Sequence, residues 1–197
     1  MTIDTSKPAP ASAVPTAAES GWPEILDDYA KARVAAQPGG LVTVLYIGSE
    51  YCWVAHGNDR DASLLVRLEL GAGRIAHERF KQDPPSLAEL EEAIEVIEDQ
   101  VMPLAKLLAA GSELFTSNES IASMLRTAKD EPKAAAAFSL VAVESIFDDL
   151  VAISSGRPRI LESLPSDNAT MATLLILREF LHHLQFERIS IQISTDA

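Results

Sequence analysis

The side chains here that could do chemistry are mostly carboxylates, with four histidines, one cysteine and a few serines in polar turns. Acids concentrate in two runs: Glu91, Glu92, Glu95, Glu98 and Asp99, then Glu144, Asp148 and Asp149. Carboxylates bind a hard cation when several oxygens converge on one point. Nothing in either spacing makes them converge, and both runs read as solvated helix faces. His182 and His183 are neighbours, so on a helix they point about 100° apart and cannot both ligate one ion; they belong at a surface or edge. His56 and His77 have no acidic partner at ligand spacing. Cys52 is the sole cysteine, which excludes an intrachain disulfide and a thiolate cluster. Set among Tyr51, Trp53 and Val54, it reads as a small buried hydrophobe. Ser117, Ser145 and Ser190 lack the setting of a nucleophile elbow. Gly71-Ala72-Gly73 does not extend to a dinucleotide fingerprint and is weak as a phosphate loop. These residues assign no catalytic group and no metal ligand.

The elements that would position them are easier to read. Gly21 to Ala36 carries Trp22, Ile25, Leu26, Tyr29 and Val34 at helical spacing, with Pro23 suited to a first turn. Leu41–Ile47, Glu50–His56 and Leu64–Leu70 are three strand-like runs joined by turns at Gly48-Ser49 and Gly57–Asp61. Arg74–Phe80 is a short helix. Ser86 and Glu89 have capping-box spacing, and Leu87, Leu90, Ile94, Ile97, Val101, Leu104 and Leu108 form one apolar seam beyond them. Pro103 lies inside that seam and should kink or end the helix. Ser112–Thr116 is a fourth strand, Asn118–Ala128 a helix, and Lys129–Pro132 a loop. Ala134–Ile153 reads as one long helix with Phe138, Val141, Ser145 or Ile146, and Val151 near one side. The last helix, Ala169–Leu184, has an apolar face that includes Arg178, which then needs an acidic partner or a route to solvent. Arg188–Ile193 alternates as a closing strand. Strands interleaved with helices predict an α/β domain with a mixed sheet, its first three strands an antiparallel meander.

At 197 residues and 47% hydrophobic content, the chain can build one domain with a proper core. The net charge of −13 repels phosphate backbones and argues against nucleic acid as a partner. No apolar run approaches the roughly 20 residues of a membrane span. Residues 1–20 are rich in Pro, Ala, Ser and Thr, lack a signal-peptide pattern and read as a disordered tail before a domain over 21–197. The expected compartment is the cytoplasm.

Several short stretches then carry a resemblance. Leu68-Glu69-Leu70-Gly71-Ala72-Gly73-Arg74-Ile75, Glu78-Arg79-Phe80 and Asp83-Pro84-Pro85-Ser86-Leu87-Ala88-Glu89-Leu90 resemble, in order and spacing, the exopolyphosphatase and guanosine pentaphosphate phosphohydrolase (Ppx/GppA) family. Ala172–Leu181 with Phe186–Ile191, and Ser20-Gly21 with Glu24, resemble the end and the start of the same lobe. The resemblance spans about residues 20–193 and implies the second lobe of an actin-like ATPase (RNase H-like) fold; the first lobe has no counterpart in this sequence. The family's first hairpin carries an Asp-Ile-Gly-Gly-Gly-Ser-Thr-Glu loop, whose glycines let backbone N–H groups close on phosphate and whose acids help hold a metal. The matching residues here are Tyr46-Ile47-Gly48-Ser49-Glu50-Tyr51-Cys52-Trp53. The second Gly-rich loop falls at Phe115-Thr116-Ser117-Asn118-Glu119, without glycine. Phosphoryl transfer depends on positioning and electrostatic stabilisation, and both devices are missing.

The expectation is therefore a pseudoenzyme lobe that acts as an interaction or regulatory module. Tyr46, Tyr51 and Trp53 would lie near the former cleft as interface residues, with a homodimer or a partner protein covering them. The alternative is phosphoanhydride hydrolysis, with Mg²⁺, in a cleft completed by a partner chain carrying the missing lobe. A third possibility is ligand binding without turnover at Gly48, Ser49, Thr116, Ser117 and Asn118.

Overall fold

The computed structural model describes residues 22–128, 132, 135–158 and 167–192. The N-terminal tail, the charged stretch 129–131 and Ile193 fall outside them. Six strands form one sheet in the order β3-β2-β1-β4-β6-β5. Strands β1 (Val42–Ile47), β2 (Cys52–Gly57) and β3 (Leu64–Leu68) are the antiparallel meander. β4 (Glu113–Thr116) runs parallel to β1, and β6 (Arg188–Ile191) parallel to β4.

The sheet is covered on both faces. That is why β1 and β2 read as nearly continuous apolar runs rather than alternating ones. Val42 and Val44 of β1, Trp53 and Ala55 of β2, and Phe115 of β4 pack against Ile25, Tyr29 and Ala32 of α1 (Trp22–Ala35). Leu45, Ile47, Cys52 and Val54 meet the larger core on the other face, formed by α2 (Ala72–Arg79), α3 (Leu87–Val101), α4 (Glu119–Leu125), α5 (Leu140–Ser154) and α6 (Asn168–His183). On α1, Ile25 and Tyr29 are buried as their spacing implies, whereas Leu26 and Val34 face outward.

Local chemistry sets the helix ends. The Ser86–Glu89 capping box forms in both directions: the Ser86 N–H donates to Glu89 Oε2 at 2.7 Å, and Ser86 Oγ accepts from the Glu89 N–H. α3 ends at Val101, and Pro103 sits at the start of a 3₁₀ turn, Met102–Lys106, where its missing N–H is harmless. The seam continues through that turn with Leu104 buried.

One expected element is corrected. The helix expected over 134–153 is an edge strand, β5 (Ala137–Ser139), followed by α5. Phe138 is buried and pairs with Ile189 of β6, and Ser139 then caps α5 by accepting from the Ala142 N–H. Tertiary pairing overrides the helix preference of the alanines here. The helix is phased from Leu140, so its buried positions are Ala142, Val143, Ile146, Leu150 and Ile153, and Val141 is 73% exposed.

Candidate functional site

The two turns singled out by sequence meet at one end of the sheet, beyond the C-terminal ends of β1 and β4. That is where open α/β sheets hold ligands. The structure fills this place with the protein's own contacts. The Gly48 N–H donates to the Tyr51 carbonyl at 3.0 Å, closing the β1–β2 turn. The carbonyls of Gly48 and Ser49 then accept from the N–H groups of Ala72 (2.8 Å) and Arg74 (2.9 Å), so the turn caps the N-terminus of α2. Such a terminus is otherwise a ready anion site. Gly71 and Gly73 permit the close approach: a methyl on either would stand under 3.0 Å from the Ser49–Glu50 segment. Gly71-Ala72-Gly73 thus serves packing. Ser49 and Glu50 remain exposed at the tip.

The β4–α4 turn is held just as closely. Thr116 Oγ1 accepts from the Asn118 N–H at 3.2 Å. The Asn118 side chain donates to the Ile47 carbonyl at 2.7 Å and accepts from the Ser120 N–H as the cap of α4. Ser117 Oγ donates to Asp28 Oδ2, an almost fully buried carboxylate on α1 with Lys31 at 4.0 Å. With its amide oriented to satisfy both partners, Gln192 donates to the Asp28 carbonyl and accepts from the Ala32 N–H. Sequence reasoning missed Asp28, because its partner Ser117 lies far along the chain. Gly48, Ser49, Thr116, Ser117 and Asn118 do come together, with the Gly48 and Ser49 carbonyls and the side chains of Thr116, Ser117 and Asn118 engaged with protein.

Tyr46 and Trp53 are cross-strand partners on the face that α1 covers, and the aromatic residues differ in burial. Tyr46 and Tyr51 are half-buried, and the Arg67 guanidinium lies over the Tyr51 ring at 4.6 Å. Trp53 is a correction. It is 1% exposed, packed between the sheet and α1, and therefore cannot itself meet a partner in this state. Burial and the acids Glu24 and Asp28 hold the Tyr46 hydroxyl above its usual pKa. Cys52 is fully buried and its thiol is pushed far up by desolvation, so it is inert.

His56 is a structural residue. Its Nε2 accepts from the Ala109 N–H at 3.3 Å, which places the proton on Nδ1, donating to Thr43 Oγ1 at 2.9 Å; Thr43 passes on to Ser112 Oγ at 2.8 Å. Desolvation keeps this imidazole below its ordinary pKa.

At the opposite end of the sheet, a cavity of about 610 Å³ opens among Ser112, Glu113, His183, Gln185, Arg188 and Ser190. Beside it lies a cluster that the sequence did not suggest. His183 is not a bare surface residue: its Nε2 is 2.9 Å from Glu98 Oε1 and 3.2 Å from Glu179 Oε2. Glu98 leaves the supposed solvated face of α3 to reach it. Arg178 finds its acidic partners in Glu144, at 2.9 Å, and Glu179, and it also covers the Phe147 ring at 4.4 Å. The i,i+4 spacing of Glu179 and His183 was visible in sequence, whereas the approach of α3 was not.

No helix among the described residues is long and apolar enough to cross a membrane. No family model and no curated protein matches the chain. Solved structures do. The Aquifex aeolicus member of the Ppx/GppA family superposes with a TM-score of 0.67 at 17% identity, covering 84% of this chain and 56% of that one. An exopolyphosphatase from Cytophaga hutchinsonii gives 0.63 at 15% identity, covering 86% and 58%. The chain thus spans less than two thirds of these proteins, a share consistent with a single lobe. Over that share, its mixed six-stranded sheet with helices has the actin-like fold of the Ppx/GppA structures.

Proposed function

We propose that this lobe works without catalysis, as an interaction or regulatory module of Ppx/GppA-like fold. The observation that carries the reading is the closed end of the sheet. The Gly48 and Ser49 carbonyls occupy N–H groups of α2, and Asn118 occupies the Ile47 carbonyl. An anion arriving there would have to displace these bonds and approach the exposed Glu50 carboxylate.

Association has a plausible surface. β3 is an edge of the sheet, with Leu64, Leu65 and Val66 all half-buried, and such an edge invites pairing with another chain. A homodimer is the simplest cover. The second reading, hydrolysis in a cleft completed by a partner chain, is favoured by the 56–58% coverage of the solved relatives. Mg²⁺ and a phosphoanhydride substrate belong to that reading alone.

Size exclusion with light scattering, and a polyphosphate and guanosine pentaphosphate hydrolysis assay on the same peak, separates the two. The module reading expects a discrete dimer without phosphate release, weakened by Leu64→Lys, because Leu64 packs in neither core. Metal-dependent phosphate release that tracks the peak would overturn it.

A further inference from the structure

We infer that Glu98, Glu179 and His183 form a binding site for one divalent transition-metal ion of the zinc class. Two helices build it: α6 presents Glu179 and His183 one turn apart, and α3 brings Glu98 across. The three donor atoms lie within 4.8 Å of one another. A tetrahedral ion with bonds of about 2.1 Å holds its ligands roughly 3.4 Å apart. The His183 nitrogen already stands 2.9 Å and 3.2 Å from the two carboxylates, within a few tenths of an ångström of that spacing, and the two carboxylate oxygens, no more than 4.8 Å apart, adjust by side-chain rotation.

Charge points the same way. Glu144 and Glu179 share one guanidinium, Arg178, while Glu98 pairs with His183, and Glu179 is 1% exposed. With neutral His183 the group carries two negative charges in excess, which a divalent ion cancels. The outer contacts are those a ligand set requires. Arg178 holds one oxygen of Glu179 and leaves the other toward His183, fixing its orientation. One imidazole nitrogen with two carboxylates suits zinc, cobalt or manganese better than magnesium, which prefers oxygen alone. Three protein ligands leave a coordination position open, and His183 also lines the 610 Å³ cavity. This end of the sheet lies opposite the two turns discussed above.

The test is calorimetric titration of Zn²⁺ into the metal-free full chain, with Co²⁺ absorption as a report on ligand geometry. The expected result is one ion per chain and the d–d bands of four-coordinate cobalt. Glu98→Gln and His183→Ala should each weaken binding by more than about tenfold, while His77→Ala, at an exposed histidine, should not. Glu98 is half-exposed and Gln is nearly isosteric, so that variant keeps the fold if His183→Ala does not. No saturable binding below about 1 mM, or binding unchanged in Glu98→Gln, would overturn the assignment.

Discussion

Replacing Gly73 by alanine should destabilise the protein, although helix propensity alone predicts a gain approaching 1 kcal/mol at a position inside α2. The new methyl would overlap Ser49 Oγ and stand 3.2 Å from the Ser49 carbonyl oxygen. At Gly71 the overlap is with the backbone of Ser49 and Glu50, which has no rotamer by which to escape. The turn must then lift from α2, losing the bonds to Ala72 and Arg74. Two hydrogen bonds at about 0.5–1.5 kcal/mol each and an overpacking strain of about 1–3 kcal/mol give about 2–6 kcal/mol for Gly71→Ala. Gly73→Ala should cost less, because its worst contact is a hydroxyl. Ser49→Ala removes that hydroxyl and should recover part of the loss in Gly73→Ala and none in Gly71→Ala, a coupling read from a double-mutant cycle. Urea unfolding of the wild type, the three single variants and the two double variants measures all of this. A Gly71→Ala variant within about 0.5 kcal/mol of wild type would refute the packing of the turn on α2.

Two further predictions concern residues whose roles the structure settles. Trp53→Ala should cost about 3–5 kcal/mol in the same unfolding assay, because it opens a cavity between the sheet and α1; a cost below about 1 kcal/mol would mean that α1 does not cover that face. His56 should make stability acid-sensitive. Its folded pKa lies below the ordinary 6.5, so its contribution is complete above pH 6.5. As pH falls below that value the unfolded chain gains a proton that the folded one resists, and stability declines. The decline between about pH 6.5 and 5 should be shallower in His56→Gln; identical slopes would place the sensitivity elsewhere.

Much of the architecture was legible because its signals are local. The β-branched and aromatic runs of the meander, the Ser86–Glu89 box and the stop at Pro103 each depend on residues within a few positions. β5 was hidden because it rests on pairing with β6, some fifty residues on, and alanine-rich sequence hides that pairing behind helix propensity. Trp53 was placed at a surface on the expectation of an uncovered face. Its burial depends on α1 folding back over β1, β2 and β4, tied by Arg33 to the Gly40 carbonyl at 2.6 Å. The two turns were singled out through the family resemblance, and that they meet at one end of the sheet follows from the parallel pairing of β1 with β4. That the first turn caps α2, and that Asp28 reaches Ser117, could not be read, since both are contacts between distant segments. The Glu98–Glu179–His183 cluster was missed for the same reason: half of its spacing is helical, and the other half is the packing of α3 on α6.

The central claim is that the end of the sheet which would receive phosphate is closed by the protein's own hydrogen bonds. Its most direct test is a titration of the isotopically labelled chain with polyphosphate and Mg²⁺, following the backbone amide resonances of Gly48, Ser49, Ala72, Arg74 and Asn118. The account predicts no saturable shift at any of the five. Saturable shifts confined to these amides would contradict it, since they would show the turn opening to cradle the anion.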